Sequence, residues 1–308
     1  MKGIILAGGS GSRLSPSTDS INKHLLAVYD KPMIYYPLSV LMLGGIKEIM
    51  IISTPESKPR FEELLGDGSS LGITLKYSEQ KQPNGIPEAL TLSKHFLKND
   101  AVTLILGDNI FYGQGFTTLL RHALRNHKHA TIFGYRVKDP GRFGVVEFDH
   151  RQKAISLEEK PEEPRSDFAV TGLYIYDNQA VKLANTLKPS ARGELEITDL
   201  NKAYLRRGQL DVELLGRGFA WMDAGTHESL FDASEFVKIT QQRQGFKLAC
   251  LEEIAYYLGY ISREQLYKKG KAMKKNDYGA YLLEIADRKH TQQYWDTIDR
   301  NPMLGLVE

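Results

Sequence analysis

The chain opens on Gly3-Ile4-Ile5-Leu6-Ala7-Gly8-Gly9-Ser10-Gly11-Ser12-Arg13, a short apolar run that ends in a glycine-rich turn. An unbroken apolar run of this kind is typical of a strand that is covered on both faces. Glycines after such a strand let the backbone approach phosphate oxygens closely, and Arg13 adds a bidentate donor for the same group. The stretch predicts a first strand followed by a phosphate-binding loop, with a tight structural turn as the alternative.

Two other glycine-rich loops do not fit this spacing. A Walker A loop requires Gly-Lys-Ser/Thr, and no such triplet follows these glycines. A dinucleotide fingerprint requires a helix after its glycines, but Pro16 stands where that helix would continue. Lys23 follows Arg13 by ten residues and supplies a second, more compact positive charge.

Apolar runs and helical patterns alternate through the first half of the chain, which indicates βαβ units and a mostly parallel sheet. Strands are predicted at residues 3–7, 48–52, 73–77, 102–106 and 130–135, and helices at 33–43, 58–65, 87–97 and 116–126.

From Gly144 the strands come without long helices between them, which predicts an inserted antiparallel region. Further helices are then expected before and after two short strands, and Thr226 and Ser262 are helix N-cap candidates in the second half. The predicted strands are residues 145–148, 154–157, 170–176, 211–215 and 219–222, and the predicted helices are 178–187, 198–207 and 226–244. The chain after Gly245 is helical and more polar in pattern.

Bulk properties exclude several classes of protein. The 308 residues are 42% hydrophobic and 25% charged with a net charge of +2, so we expect no nucleic-acid partner. No stretch approaches the roughly 20 apolar residues that span a bilayer, and the N-terminal run is too short for a signal peptide. Cys250 is the single cysteine, which excludes an intrachain disulfide and leads us to expect a cytoplasmic protein with Cys250 in its core.

Two aspartates follow predicted strands at positions that suit a metal ion. Asp108 comes directly after the strand at 102–106, and Asp223 ends the segment Trp221-Met222-Asp223. Ligands of parallel sheets bind beyond the carboxyl ends of the strands, and carboxylates are the oxygen ligands that Mg²⁺ prefers. We predict that Asp108 and Asp223 hold Mg²⁺, with a turn or cap role as the alternative for each.

Together these motifs resemble the sugar nucleotidyltransferase family, and within it most closely the glucose-1-phosphate thymidylyltransferases. The resemblance runs in order from residue 1 to about 286 through Leu6-Ala7-Gly8-Gly9-Ser10-Gly11-Ser12-Arg13-Leu14, Lys23-His24-Leu25-Leu26-Ala27-Val28-Tyr29-Asp30-Lys31-Pro32-Met33, Gly107-Asp108-Asn109, Glu158-Glu159-Lys160-Pro161, Val170-Thr171-Gly172-Leu173-Tyr174, Arg192-Gly193-Glu194-Leu195-Glu196-Ile197-Thr198-Asp199 and Trp221-Met222-Asp223.

The resemblance implies a Rossmann-like α/β fold. It also implies an enzyme that joins dTTP to a hexose 1-phosphate and releases pyrophosphate, with glucose 1-phosphate as the favoured sugar phosphate. It implies a core at residues 1–245, with a nucleotide-binding part at about 1–140 and a sugar-binding part at about 141–245. A C-terminal helical extension at 246–288 and a tail of unknown role at 289–308 follow. It also implies a homotetramer or homodimer, with a second nucleotide site for feedback near Gly113, Arg217 and residues 250–253.

The resemblance also assigns roles to individual residues. It gives a catalytic role to Arg13, Lys23 and Lys160. It gives nucleotide binding to Leu6, Gly8, Gly9, Gly11, Ser12, Gln80, Gly85 and Asp108, with Gln80 and Gly85 at the pyrimidine. It gives sugar binding to Gly144, Glu159, Lys160, Thr171, Tyr174 and Arg192, and Mg²⁺ binding to Asp108 and Asp223.

Several residues depart from the family pattern near the base and the sugar. His24 stands in place of Gln, Phe143 in place of Tyr, and Ile86-Pro87-Glu88-Ala89 in place of Leu-Ala-Gln-Ala. The principal charged residues are retained, so an active enzyme is predicted, although the preferred sugar need not be glucose. Alternatives are a uridylyltransferase using UTP, a non-catalytic nucleotide-sugar-binding homologue and, less favoured, a dinucleotide-dependent oxidoreductase.

Overall fold

The computed structural model describes residues 1–9 and 11–287, so the predicted tail at 289–308 lies outside the described residues. The strands are β1 (Lys2–Ala7), β2 (Ala27–Val28), β3 (Lys31–Pro32), β4 (Glu48–Ser53), β5 (Thr74–Glu79), β6 (Val102–Leu106), β7 (Asn109–Gly113), β8 (Ala130–Arg136), β9 (Gly144–Phe148), β10 (Ala154–Glu159), β11 (Phe168–Tyr176), β12 (Leu210–Leu215) and β13 (Phe219–Asp223).

The α-helices are α1 (Tyr35–Leu43), α2 (Lys58–Leu65), α3 (Glu88–Leu92), α4 (Lys94–Leu97), α5 (Phe116–Asn126), α6 (Ala180–Ala184), α7 (Ile197–Leu205), α8 (His227–Gln244), α9 (Leu251–Tyr257), α10 (Arg263–Ala272) and α11 (Asp277–Asp287). Short 3-10 turns cover Ser12–Leu14, Lys23–Leu25, Ser69–Leu71 and Pro140–Arg142. None of these helices is both long enough and apolar enough to cross a bilayer.

A nine-stranded sheet forms the centre of the molecule. Strands β5, β4, β1 and β6 lie side by side and parallel, and β8 and β12 also pair in parallel. Strand β11 is inserted between β6 and β8 and runs antiparallel to both. Strands β9 and β10 form an antiparallel pair beside the first half of β11. The predicted α/β fold, with a mostly parallel sheet and an antiparallel insertion, is confirmed.

Both faces of the sheet are buried, which explains the unbroken apolar runs of its strands. On β1, Ile5 and Ala7 enter one hydrophobic cluster while Ile4 enters another on the opposite face. On β6, Ile105 and Leu104 divide in the same way, because successive side chains of a strand point to opposite faces. Helices α1, α2, α5 and α9 to α11 cover the first face, and α3, α4, α6 and α7 cover the second.

Two antiparallel pairs lie outside this sheet, the β7–β13 ribbon and the β2–β3 pair, and a smaller hydrophobic cluster joins both to α8. Ile110 of β7 and Val28 of β2 pack there against Ala233 and Val237 of α8. Helix α8 begins at the predicted cap, because the Thr226 hydroxyl accepts a hydrogen bond from Ser229 N at 3.2 Å. This packing holds the end of β13 against the rest of the molecule.

The sequence prediction was wrong at one helix and missed three strands. The single helix predicted at 87–97 is two helices, because Ser93 leaves the helical conformation between them and is fully buried. Strands β2, β3 and β7 were not predicted, since β2 and β3 span only two residues each and β7 follows β6 after only two residues.

Candidate active site

The glycine-rich loop connects β1 to the turn at Ser12–Leu14, as predicted. Gly9 and Gly11 have φ values of +89° and +64°, which side chains other than glycine rarely adopt. Thr18 Oγ1 donates to Gly11 O at 2.8 Å and closes the far side of the loop. Leu14 is fully buried and anchors the turn, while Ser12 and Arg13 are exposed.

Lys23 is held beside the end of β1 by its neighbour Asn22. The Asn22 side chain accepts a hydrogen bond from His24 N at 2.9 Å and donates one to Ala7 O at 3.0 Å. The Lys23 ammonium forms an ion pair with Asp108 at the end of β6. Burial alone would lower the pKa of Lys23, but the charge of Asp108 outweighs it and raises that pKa.

The second aspartate reaches the same place through the β7–β13 ribbon. Asp223 lies directly across from Asn109 in the register, and Ala224 N donates to Asp108 O at 3.0 Å. Burial and the charge of Asp108 raise the pKa of Asp223 to about 6. Burial opposes the ionisation of Asp108 as well, but Lys23 outweighs it and holds that pKa well below its usual range.

Arg13 and Arg142 complete the charge distribution around these acids. Both guanidinium groups act on Asp223 and oppose the rise in its pKa, and Arg13 also opposes the rise in the pKa of Lys23. Arg142 was missed by the sequence analysis, although it stands only two residues before Gly144. The structure thus brings together the predicted residues Lys23, Asp108 and Asp223, and the charge of Arg13 acts on Lys23 and Asp223.

Asn109 is a second residue that sequence reasoning missed. Its side chain is 2% exposed, and its Oδ1 accepts from Gly172 N at 2.9 Å and from Trp221 Nε1 at 2.6 Å. Its Nδ2 donates to Asp108 Oδ1 at 3.0 Å. Asn109 therefore connects β11 and β13 to the Asp108 carboxylate. Its position next to Asp108 in a strand-end motif was the available signal.

Gln80 lies beside the glycine loop, and Gly85 is in contact with Gln80. Gln80 follows β5 and is 5% exposed, and its Oε1 lies 2.6 Å from the point where a Cβ on Gly8 would be. Gly85 O accepts a hydrogen bond from Gln80 Nε2 at 3.3 Å. Leu6, the last predicted residue of this group, is partly buried in β1, and its carbonyl accepts from Gly107 N at 2.9 Å.

The predicted sugar-binding residues form a separate group around Glu159. Thr198 Oγ1 donates to Glu159 Oε2 at 2.5 Å, and Arg192 Nη2 donates to Glu159 Oε1 at 3.3 Å. A Cβ on Gly144 would lie 3.0 Å from Thr198 Oγ1, so Gly144 is in this group. Hydrogen bonds and charge from Glu196 hold Arg192 in place and raise its pKa.

The other predicted sugar-binding residues are on two strands: Lys160 directly follows β10, and Thr171 and Tyr174 lie on β11. Lys160 is exposed, with φ +45°, and no hydrogen bond or ion pair among the described residues joins its ammonium to Asp108. Thr171 is fully buried, and its Oγ1 has no hydrogen-bond partner among those residues. Tyr174 is buried on β11, and burial together with the charges of Glu159 and Asp108 raises its pKa.

Comparisons with known proteins show the family of this chain. Residues 2–240 match the family described as nucleotidyl transferase. A Neisseria meningitidis protein named glucose-1-phosphate thymidylyltransferase is 58% identical over 285 residues, covering 92% of this chain and 99% of that protein. A Mycobacterium tuberculosis protein of the same name is 51% identical over 288 residues, covering 94% of this chain and 100% of that protein.

Solved structures show the same fold. A Bacillus anthracis protein described as a glucose-1-phosphate thymidylyltransferase superposes with a TM-score of 0.70 at 45% identity, covering 77% of this chain and 94% of that chain. A UDP-glucose pyrophosphorylase superposes with the same TM-score of 0.70 at 22% identity, covering 78% of this chain and 98% of that chain, and shares the fold. With a family match over most of its length and relatives this similar, the chain belongs to the nucleotidyl transferase family, as its motifs predict.

Proposed function

We propose that this enzyme condenses dTTP with glucose 1-phosphate to give dTDP-glucose and pyrophosphate. The observation that carries the proposal is the meeting of Arg13, Lys23, Asp108 and Asp223 beside a glycine-rich loop at the ends of β1, β6 and β13. The name shared by the relatives from Neisseria and Mycobacterium supports this choice of substrates.

The two acids fit a divalent cation of the Mg²⁺ type. They are close enough for the charge of Asp108 to raise the pKa of Asp223, and they offer only hard oxygen ligands. Among the described residues no group of three or more His, Cys, Asp or Glu forms a cage, and Mg²⁺ commonly takes one or two carboxylates with water and substrate phosphates. A bound Mg²⁺ would neutralise phosphate charge as the bond to pyrophosphate breaks.

The chemistry needs alignment and charge rather than a protein nucleophile. A phosphate oxygen of glucose 1-phosphate attacks the α-phosphorus of dTTP, and the bond between that phosphorus and the pyrophosphate oxygen breaks. We assign Arg13 and Lys23 to the triphosphate, with the loop glycines and Ser12 around it. These two cations would stabilise the charge that develops on the oxygens of the transferring group.

Lys160 and Glu159 would present the sugar phosphate to this centre. Lys160 directly follows Glu159, the last residue of β10, and its ammonium has no hydrogen bond or ion pair with the described residues. We assign Lys160 to the phosphate of the attacking substrate and Glu159 to the sugar hydroxyls. Thr171 and Tyr174 would line the same pocket, with Gly144 leaving room for the sugar and Arg192 orienting Glu159.

A pyrophosphate-release assay with glucose 1-phosphate and Mg²⁺ tests this function across dTTP, UTP, CTP, GTP and ATP. We expect dTTP to have the highest kcat/KM. A tenfold preference for UTP would assign the chain to the uridylyltransferases instead. Binding of dTTP and glucose 1-phosphate by calorimetry without pyrophosphate formation would instead indicate a non-catalytic homologue.

Phe143 bears on which sugar the enzyme prefers. Phe143 packs edge-on against Trp221, with ring centroids 5.0 Å apart, and offers no hydroxyl to a sugar. One hydrogen bond fewer between a pocket and its sugar shifts discrimination by roughly 1–3 kcal/mol. A screen of hexose 1-phosphates against dTTP compares these substrates directly, and glucose 1-phosphate is expected to have the highest kcat/KM.

The proposal extends to the assembly and to regulation. We propose a cytoplasmic homotetramer or homodimer, with the core at 1–245 and the extension at 246–288. A cavity of about 330 Å³ separate from the active-site residues is lined by Gly113 and Glu253, two residues of the predicted feedback region, but not by Arg217. Sedimentation and dTDP-glucose inhibition measurements test these two predictions.

A further inference from the structure

The side-chain amide of Gln80 has hydrogen-bond partners for its nitrogen but none for its oxygen among the described residues. Its Nε2 donates to Glu88 Oε2 at 2.7 Å and to Gly85 O at 3.3 Å, so both N–H groups have acceptors. Its Oε1 accepts no hydrogen bond from the described residues and faces Gly8 in the phosphate loop. Gln80 therefore presents a bare acceptor beside the proposed nucleotide site.

Glu88 determines which end of that amide faces the site. A carboxylate accepts hydrogen bonds and donates none. If the amide were turned over, Gln80 Oε1 would face two acceptors, Glu88 Oε2 and Gly85 O, at these short distances. That arrangement is repulsive, so the carboxylate excludes the turned orientation.

Glu88 is itself held on both sides. It begins α3, where the helix N-terminus favours a negative charge. Asn84 Nδ2 donates to its second oxygen, Oε1, at 2.8 Å. Asn84 O also accepts from Leu195 N at 2.8 Å, which ties this loop to the segment before α7. The carboxylate is thus a fixed acceptor.

We propose that Glu88 is a positioning residue that selects the nucleobase through Gln80. With the Gln80 oxygen fixed toward the site, a base that carries a ring N–H can donate to it, as thymine and uracil do at N3. Cytosine has a ring lone pair at N3 and meets a second acceptor there. The inference rests on the proposed function and assigns the discrimination against cytosine nucleotides to the Glu88–Gln80 pair.

Two substitutions of Glu88 test this role. Glu88→Leu removes the acceptor, and Glu88→Gln can offer Gln80 an amide donor in its place, so both substitutions free the Gln80 amide to turn. We expect the ratio of kcat/KM for dTTP to that for dCTP to fall at least about tenfold in Glu88→Leu, mainly through KM. Glu88→Gln should lower the ratio in the same direction, because its single carbonyl oxygen can accept from Asn84 or from Gln80 but not from both.

Asn84→Ala is the matched control for the loop. It removes the other hydrogen bond of Glu88 but leaves the Glu88–Gln80 contact, so the ratio should not change. An unchanged ratio in the two Glu88 variants, or an equal loss in Asn84→Ala, would overturn the inference. Absence of turnover with any nucleotide in the unmodified enzyme would instead overturn the proposed function, which keeps the two failures distinct.

An isosteric pair of variants tests the contact even if Glu88→Leu does not fold. Gln80→Glu places two carboxylates against each other and should raise the KM for dTTP at least about tenfold. Adding Glu88→Gln restores a donor opposite residue 80, which again presents only acceptors to the base. We expect this double variant to recover both the KM and the preference for dTTP over dCTP. Failure to recover either would show that the two residues do not act as a pair.

Discussion

At the scale of single residues, the pKa values of the two acids beside Lys23 are shifted in opposite directions: that of Asp108 is lowered and that of Asp223 is raised. Asp108 is held ionised by the Lys23 charge, whereas burial and the charge of Asp108 favour the protonated form of Asp223. Opposed environments of this kind are common at functional sites. A divalent cation between the two carboxylates would relieve their repulsion.

Asp108→Asn should reduce turnover far more than it reduces stability. We expect kcat/KM with Mg²⁺ to fall at least about 100-fold, because a charged ligand of the proposed metal is lost. The free energy of unfolding should fall by no more than about 2 kcal/mol, because Asn can still accept from Lys23. Steady-state kinetics and urea unfolding measure the two quantities, with the exposed Asp211→Asn as control. Full activity in Asp108→Asn would exclude the metal role.

His24 makes the folded chain sensitive to acid. Burial, followed by the charge of Lys23, lowers its pKa from 6.5 to about 3. The unfolded chain takes up this proton as the pH falls through about 6.5, whereas the folded chain stays neutral until about 3. The stability that neutral His24 contributes is therefore complete above about pH 6.5 and is lost as the pH falls toward 3.

His24→Gln should remove this part of the acid sensitivity. Between about pH 7.5 and pH 5, the unmodified protein should lose about 2 kcal/mol more of its free energy of unfolding than the variant does. Urea unfolding at the two pH values gives both differences. Equal losses in the two proteins would show that His24 does not stay neutral when the chain folds.

At the scale of the elements, the sequence predicted most of the sheet because its strands are apolar on both faces. The strand predicted at 102–106 has the same bounds as β6. Asp108 and Asp223 were predicted as metal ligands because each stands at the end of a predicted strand. The ribbon of β7 and β13 was not recognised as a pair, since pairing between distant strands leaves no local signal. The contacts of Asn109 and Glu88 depend on that long-range geometry and on a loop conformation, so the sequence could not show them.

Asn109→Ala tests how strongly that ribbon is joined to β11. It leaves two buried donors, Gly172 N and Trp221 Nε1, without their acceptor. We expect the free energy of unfolding to fall by about 2–4 kcal/mol, whereas the exposed Asn99→Ala should cost less than about 0.5 kcal/mol. Chemical denaturation of both variants measures these free energies. Similar losses in the two variants would show that Asn109 does not join the ribbon to β11.

At the scale of the whole molecule, the C-terminal helices share a core with the sheet. Leu282 of α11 and Ile254 of α9 lie in the same hydrophobic cluster as Ile5 of β1. The sequence marked the change at Gly245 as a boundary between core and extension. One hydrophobic cluster contains residues from both sides of that boundary, so we expect the core and the extension to unfold together.

Leu282→Ala should therefore destabilise the whole chain. We expect a loss of about 2–5 kcal/mol in a single unfolding transition, because the side chain is fully buried in the shared cluster. Leu64→Ala, at a partly exposed position of α2, should cost about 0.5 kcal/mol. Calorimetry distinguishes one transition from two. A separate early transition that alone responds to Leu282→Ala would show that the extension unfolds independently.

The central claim is that one cleft holds the triphosphate, its metal ion and the attacking sugar phosphate. Anomalous diffraction from crystals grown with Mn²⁺ and a non-hydrolysable dTTP analogue tests it most directly. We expect an anomalous peak within coordination distance of both Asp108 and Asp223, with the α-phosphate in contact with Arg13 or Lys23. A nucleotide bound elsewhere, or a metal peak away from these two carboxylates, would contradict the account.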